Sequence, residues 1–419
     1  MKRFFASLSQ YNAVIWIRVF GTALCATTTF MLRPFFVFYL SDKLNGSILL
    51  PLLIVGLQPL AGILLSFWGG GIADRYGRKP VMLFALLIQG GCMLGFVFTD
   101  QVWEFAVLSV INGMGMPMFL PAANAQVADV VPPEKRGEVF ALIHTAINVG
   151  GAIGPLLGLL IYSWNQSTVF SVSAASFLLF AVLVWWKVPE TVPARSAEGS
   201  LPQKAAIPKV TFRDHRLLYW FTLFTLPVGV LYSQVETTFP LHLKEHFANA
   251  SSLFAILMTI NSVVVVAAMV WVAKKTERRT PQMMILLSYV LFAVVGVGYG
   301  FARHFYILIL IELIFTVAEI IGMTHLQKYV SVIAPANMRG KYNAIFGMYM
   351  SIPKLLSPLL FGLLFEYYGG GVMFSAVALL LLLAGPAQFR LIQKHHRKRE
   401  DAVPLPADKK PVLAEASQG

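Results

Sequence analysis

Apolar runs of roughly 20 residues recur from one end of this chain to the other, the length a helix needs to cross a bilayer. Lipid offers no partner to a backbone N–H or C=O, so such runs are restricted to helices that satisfy their own hydrogen bonds. With 13% charged residues, against about 25% in soluble domains, the membrane portion is nearly the whole chain. Apolar windows between charged or Gly/Pro breaks predict spans near 13–40, 47–71, 81–99, 103–127, 139–163 and 168–186. Six more follow near 217–241, 252–273, 282–302, 304–328, 343–367 and 371–393. The expected fold is an all-α membrane protein of twelve transmembrane helices in two pseudo-symmetric six-helix bundles, residues 1–187 and 215–393. The polar, Pro- and Ser-containing stretch 188–214 reads as a flexible cytoplasmic linker. Residues 394–419, basic and then Pro-containing, read as a disordered cytoplasmic tail drawn to anionic head groups.

A formal charge of +13 raises nucleic acid as a partner, and the placement of the basic residues decides against it. With both termini on the cytoplasmic side, about 26 of the Lys and Arg residues fall in the N-terminus, inner loops and tail. The outer loops keep Lys43, Lys244 and Arg303. This alternation predicts a multi-pass protein of the cell membrane with an even number of spans. A nucleic-acid surface would instead gather its basic residues on one face with interleaved aromatics. Cys25 and Cys92 fall within predicted helices, which points to neither a disulfide framework nor a metal cluster. The N-terminal MKRFF before an apolar stretch is like a signal peptide, but Arg18 interrupts the run and no cleavage site follows, so it is read as the first helix.

The halves repeat one another. ADRYGRKP after the second span has its counterpart in AKKTERRTP after the eighth, and VVPPEKRGEVF after the fourth in VIAPANMRGKYNA after the tenth. Each pair runs basic residues beside a Pro at the same place in its half, which fits duplication of a six-helix unit. The run Gly70-Gly71-Ile72-Ala73-Asp74-Arg75-Tyr76-Gly77-Arg78-Lys79-Pro80 resembles the loop signature of the major facilitator superfamily, G-x-L-A-D-R-x-G-R-K. Its glycines permit a tight turn, Asp74 sits where a carboxylate can meet a helix N-terminus, and Arg78 can fork onto another carboxylate. The resemblance implies the major facilitator fold, names Asp129 as that carboxylate, and assigns Gly70, Asp74, Arg75, Gly77, Arg78, Lys79 and Asp129 to an inner-side conformational latch.

In the fifth span Gly150, Gly154 and Gly158 lie four apart on one helical face, with Pro155 beside them. Small residues at that spacing let two helices touch, and the proline can bend its helix. The run resembles the motif of antiporters in the superfamily, in particular the twelve-helix drug:proton antiporters. An Arg that such antiporters carry in span four is missing: Ser109 occupies the place four residues before Gly113.

Ionisable groups within spans are costly and face an interior or a cavity. Here they are Arg33, Glu236, Glu312, Glu319 and Lys354. Glu312 and Glu319, seven apart, share nearly one face of span ten, and a carboxylate in low dielectric binds protons more tightly. Acidic residues in spans seven and ten of the drug antiporters would correspond to Glu236 and Glu319. An ion pair of Glu312 or Glu319 with Lys354 is the structural alternative. Two readings of Arg33 stand side by side, binding of an anionic group and snorkelling to the interface. His144 is either a proton relay or a packing residue. Gln58, Gln89, Asn112, Asn124, Gln126, Asn148 and Asn261 could line a cavity or simply join helices.

No phosphate-binding Gly-Lys-Ser/Thr loop is present, so an ion gradient is the expected energy source, with no cofactor and no metal. No nucleophile or metal constellation suggests an enzyme. The expected function is proton-coupled efflux of small amphipathic compounds by alternating access. The expected partners are substrate, protons and lipid, and the expected state is a monomer. The alternative is a carrier for a specific nutrient or lipid-like metabolite.

Overall fold

The computed structural model describes residues 12–44, 47, 49–191, 215–276, 278–335 and 338–401. Among these the chain is helical, without strands. The first half contains α1 (Ala13–Lys43), α2 (Leu49–Tyr76), α3 (Arg78–Phe98), α4 (Val102–Val130), α5 (Pro133–Trp164) and α6 (Thr168–Lys187). The second contains α7 (Arg216–Glu236), α8 (Thr238–His246), α9 (Ala250–Thr276), α10 (Pro281–Phe301), α11 (Phe305–Ile333) and α12 (Arg339–Asp401). α7 and α8 are one span broken at Thr237, and α12 is two spans turned at Gly369, whose φ of 78° and ψ of 168° are non-helical. These helices supply the twelve expected crossings. α12 runs on to Asp401, so the expected disordered tail is helical over 394–401. Its remainder, and 192–214 of the expected linker, lie outside the described residues.

Local chemistry sets the turns. Gly77, at φ 99°, occupies the left-handed region that side-chain-bearing residues avoid, and it separates α2 from α3. α4 opens with a reciprocal capping box between Gln101 and Glu104, which satisfies N–H groups that have no helical partner. α5 and α10 open on Pro133 and Pro281, where a missing N–H costs nothing.

Large apolar side chains remain outside the packed interior, as a lipid-facing surface requires. Exposed aromatics form two belts. Trp185, Trp186 and Trp271 lie at the end bearing the α2–α3 turn, and Phe98, Trp103, Trp164, Tyr306 and Tyr367 lie at the other. Aromatic rings gather at both head-group levels of a membrane.

The first of these ends, with Arg75, Arg78, Lys79 and Arg136, is the basic end. The two halves pack differently at the two ends. Near the opposite end, Phe35, Val37, Phe38 and Leu52 of α1 and α2 belong to the apolar core of the second half, with Leu159 and Tyr162 of α5 packed on it. Nearer the basic end the apolar clusters stay within one half: Ile15, Val127, Val131, Val139 and Ile143 in the first, and Val272, Ile320 and Ile321 in the second. The halves are therefore fused by apolar packing at the end opposite the basic one.

Candidate functional site

A cavity of about 510 Å³ opens between the halves, lined by α1, α2, α3, α4 and α6 on one side and by α7 and α12 on the other. Close helix approach builds its walls. A Cβ at Gly113 of α4 would lie 2.8 Å from the Gln58 Cα of α2, so only glycine lets these helices meet at the cavity edge. A Cβ at Gly229 of α7 would overlap the Tyr349 carbonyl oxygen of α12 and lie 3.0 Å from Pro353 Cγ. Gln234 adds a hydrogen bond from its amide Nε2 to the Ser357 carbonyl at 3.2 Å. These contacts fix α12 on α7 on either side of Lys354.

The outcome is a three-member ion cluster. Arg33 Nη1 lies 3.1 Å from Glu236 Oε1, and Lys354 Nζ lies 3.1 Å from Glu236 Oε2 and 3.4 Å from Oε1. Arg33 also stacks over the Phe30 ring at 5.4 Å. All three side chains line the cavity. Lys354 is thus paired with Glu236, not with Glu312 or Glu319 as the structural alternative had it. Of the neutral polar set, Gln58, Gln89 and Asn112 line the cavity.

Glu312 and Glu319 lie apart from this cluster, inside the second half. The Tyr299 hydroxyl donates to Glu312 Oε2 at 2.7 Å, and the Asn261 amide donates to Glu319 Oε2 at 2.8 Å and to Thr316 Oγ1 at 3.1 Å. Thr316 in turn donates to the Glu312 carbonyl at 2.8 Å. Neither acid has a cationic partner among the described residues, and Glu312 is fully buried with Oε1 unsatisfied. The network sits behind α9, whose Ser262 is 3.8 Å from the Cβ position of Gly151. Gly150, Gly154 and Gly158 face α1 instead, each with a Cβ position 2.6 Å or less from α1 atoms. The glycine face of span five therefore seats α1, the helix that carries Arg33, and Pro155 is buried beside it. His144 is exposed and meets Asn148 one turn along its own helix at 3.3 Å.

At the basic end, Arg78 Nε reaches Asp129 Oδ2 at 3.1 Å, the pairing expected for these residues. At the N-terminus of α3 the Glu190 carboxylate accepts the Arg78 and Lys79 backbone N–H groups at 3.0 and 3.1 Å. The neighbouring Thr191 hydroxyl donates to Asp129 Oδ2 at 2.8 Å. The linker is thus held at its first residues, contrary to the expectation of flexibility from 188 onward. Arg75 lies over Tyr76 at 5.3 Å; Gly70 and Asp74 fall outside the residues whose side chains are described. Glu190→Ala is expected to lower stability by about 1 kcal/mol, the usual loss for a helix N-cap. Unchanged thermal unfolding in detergent would show that the cap carries no such load.

Two features were not legible as site elements in the sequence. Glu190 sits in an apparent linker far from α3. Arg18, read only as an interruption, is almost fully buried, donates to Thr22 Oγ1 at 3.1 Å and stacks 4.9 Å from the Phe119 ring centre on α4. A guanidinium therefore contacts span four although Ser109, at the place of the missing Arg, is buried and has no hydrogen-bond partner among the described residues.

Comparison with known proteins agrees with this architecture. Residues 19–358 match the model of the Major Facilitator Superfamily. The uncharacterized MFS-type transporter YhjO of Bacillus subtilis (strain 168) is 35% identical over 390 residues, 93% of this chain and 96% of that protein. The multidrug resistance protein MdtH of Klebsiella pneumoniae (strain 342) is 25% identical over 350 residues, 83% of each. The crystal structure of the peptide transporter POT in complex with sulfate superposes with a TM-score of 0.74 at 14% identity, covering 92% of this chain and 95% of that one. With its twelve crossings and a cavity between two halves, the chain belongs to the major facilitator superfamily and is a secondary transporter, not an enzyme.

Proposed function

We propose that this transporter exports small amphipathic compounds from the cytoplasm in exchange for protons, as a monomer in the cell membrane with its basic end inside. The observation that carries the reading is the cavity between the halves. It sets Phe36, Met93, Phe96 and Phe177 beside Gln58, Gln89, Asn112 and the ion cluster, an apolar chamber with a few placed polar groups. The drug-resistance relative and the antiporter-like glycine run of span five support export over uptake. Residues 1–187 and 215–393 act as the two moving bodies. In the described state Arg33–Glu236, Lys244–Asp42 and the shared apolar core close the outer end. Release requires these contacts to part while the Arg78–Asp129 region latches the inner side.

Proton exchange is assigned first to Glu319 and Glu312, which have no cation beside them among the described residues, and secondarily to Glu236, which two cations already hold. Purified protein in liposomes, given an imposed pH gradient and an amphipathic dye, tests this. Gradient-driven flux is expected, and Glu319→Gln should reduce it about tenfold, within the range for loss of a positioned proton-transfer group. Flux of Glu319→Gln and Glu312→Gln at the unmutated rate under the same gradient would refute the assignment of coupling. Dye movement without any gradient would refute proton exchange itself.

A further inference from the structure

Among the described residues, the charged groups lining the cavity are Arg33, Lys354 and Glu236, two cations against one carboxylate, so this wall carries one net positive charge. In a chamber partly shielded from water an uncompensated charge is unfavourable. A guanidinium has five N–H donors; Arg33 uses Nη1 toward Glu236, and 47% of its side chain is exposed, facing the cavity. A monoanionic group placed against Arg33 would bring the wall to neutrality without displacing Glu236, and a planar carboxylate fits the guanidinium fork. A cation would meet a carboxylate already held through both oxygens, with two like charges beside it.

We infer that the cavity selects amphipathic organic monoanions, their carboxylate held by Arg33 with Lys354 and their apolar body set against Phe36, Phe96 and Phe177. The inference rests on the proposal that this cavity is the transport site and narrows its substrates to one charge class. Glu236 then sets the stoichiometry of charge: it keeps the wall at one net positive rather than two.

The test uses two probes of one shape and opposite charge, naphthoate and naphthylmethylammonium, in equilibrium binding to the purified full-length protein. Naphthoate is expected to bind and the amine not to. Arg33→Gln should weaken naphthoate binding about tenfold or more, the usual effect of losing a hydrogen bond to a charged group. Arg33→Lys, which keeps the charge but loses the planar fork, should retain only part of the affinity, and Glu236→Gln should tighten it. Tighter binding of the amine, no binding of naphthoate to the unmutated protein, or weaker naphthoate binding in folded Glu236→Gln would overturn the inference. In liposomes, naphthoate flux indifferent to a pH gradient would sustain the anion site while refuting proton coupling. Gradient-driven flux of the amine with no naphthoate binding would do the reverse.

Discussion

Gly154→Leu is expected to reduce transport about 100-fold and to lower the melting temperature of the purified protein. A Cβ at Gly154 would lie 2.6 Å from the Thr27 carbonyl oxygen, 2.8 Å from Phe30 Cβ and 2.9 Å from the Met31 nitrogen. Two of these are backbone atoms of α1, which cannot rotate aside, so the helices must separate. Forcing extra methylenes into a packed contact costs about 1–3 kcal/mol. The functional loss should exceed the loss of stability, because Arg33 rides on the displaced helix. A displacement of about 1 Å at a working group can remove 10²-fold in rate. Gly151→Ala is the control. The nearest atoms to its Cβ position are 3.7 and 3.8 Å away, ordinary van der Waals contact, and flux should remain within about twofold, as for a substitution that is nearly neutral in energy. Normal flux through Gly154→Leu, measured in liposomes at matched protein content, would mean that close approach of α1 and α5 is not needed.

Lys354→Glu should reduce transport about 50-fold, and adding Glu236→Lys should restore a large part of it. The single change sets two carboxylates against each other with Arg33 as the remaining cation. Two unit charges 4 Å apart interact by about 4 kcal/mol at an effective dielectric of 20. The side chains of Lys354 and Glu236 are 28% and 34% exposed, and such exposure removes roughly half of that energy. What remains, about 2–3 kcal/mol, corresponds to about 50-fold. The double variant returns the wall to two cations and one carboxylate. An additive double variant, no better than the product of its two single losses, would show that the residues do not act as a pair.

The spans were legible in the sequence because lipid imposes a rule each helix obeys alone: enough apolar residues, with breaks at charge, Gly or Pro. Boundaries ran short where charged turns extend the helices, as in α2, which continues to Tyr76. The interruption of span seven at Thr237 has no local signal. The ionisable residues within the spans could be named from cost alone, but their partners could not. Lys354 meets Glu236 because Gly229 admits Tyr349 and Pro353, a fact about two helices more than 100 residues apart. Arg78 with Asp129 was legible only through resemblance to a family loop, and Glu190 escaped because its place on α3 is set by folding of the chain after α6.

The apolar seam at the end opposite the basic one bears on how the transporter works. In the proposed cycle, opening that end wets Phe35, Phe38, Leu52 and Tyr162, which pack in the seam here. Such a step resembles partial unfolding in its thermodynamics: it raises heat capacity and is resisted by solutes excluded from apolar surface. On the proposed cycle this end is held closed by water as well as by its ion pairs. Sucrose or sulfate should slow turnover at fixed pH gradient, even where ionic strength is high enough to screen the charges at the mouth.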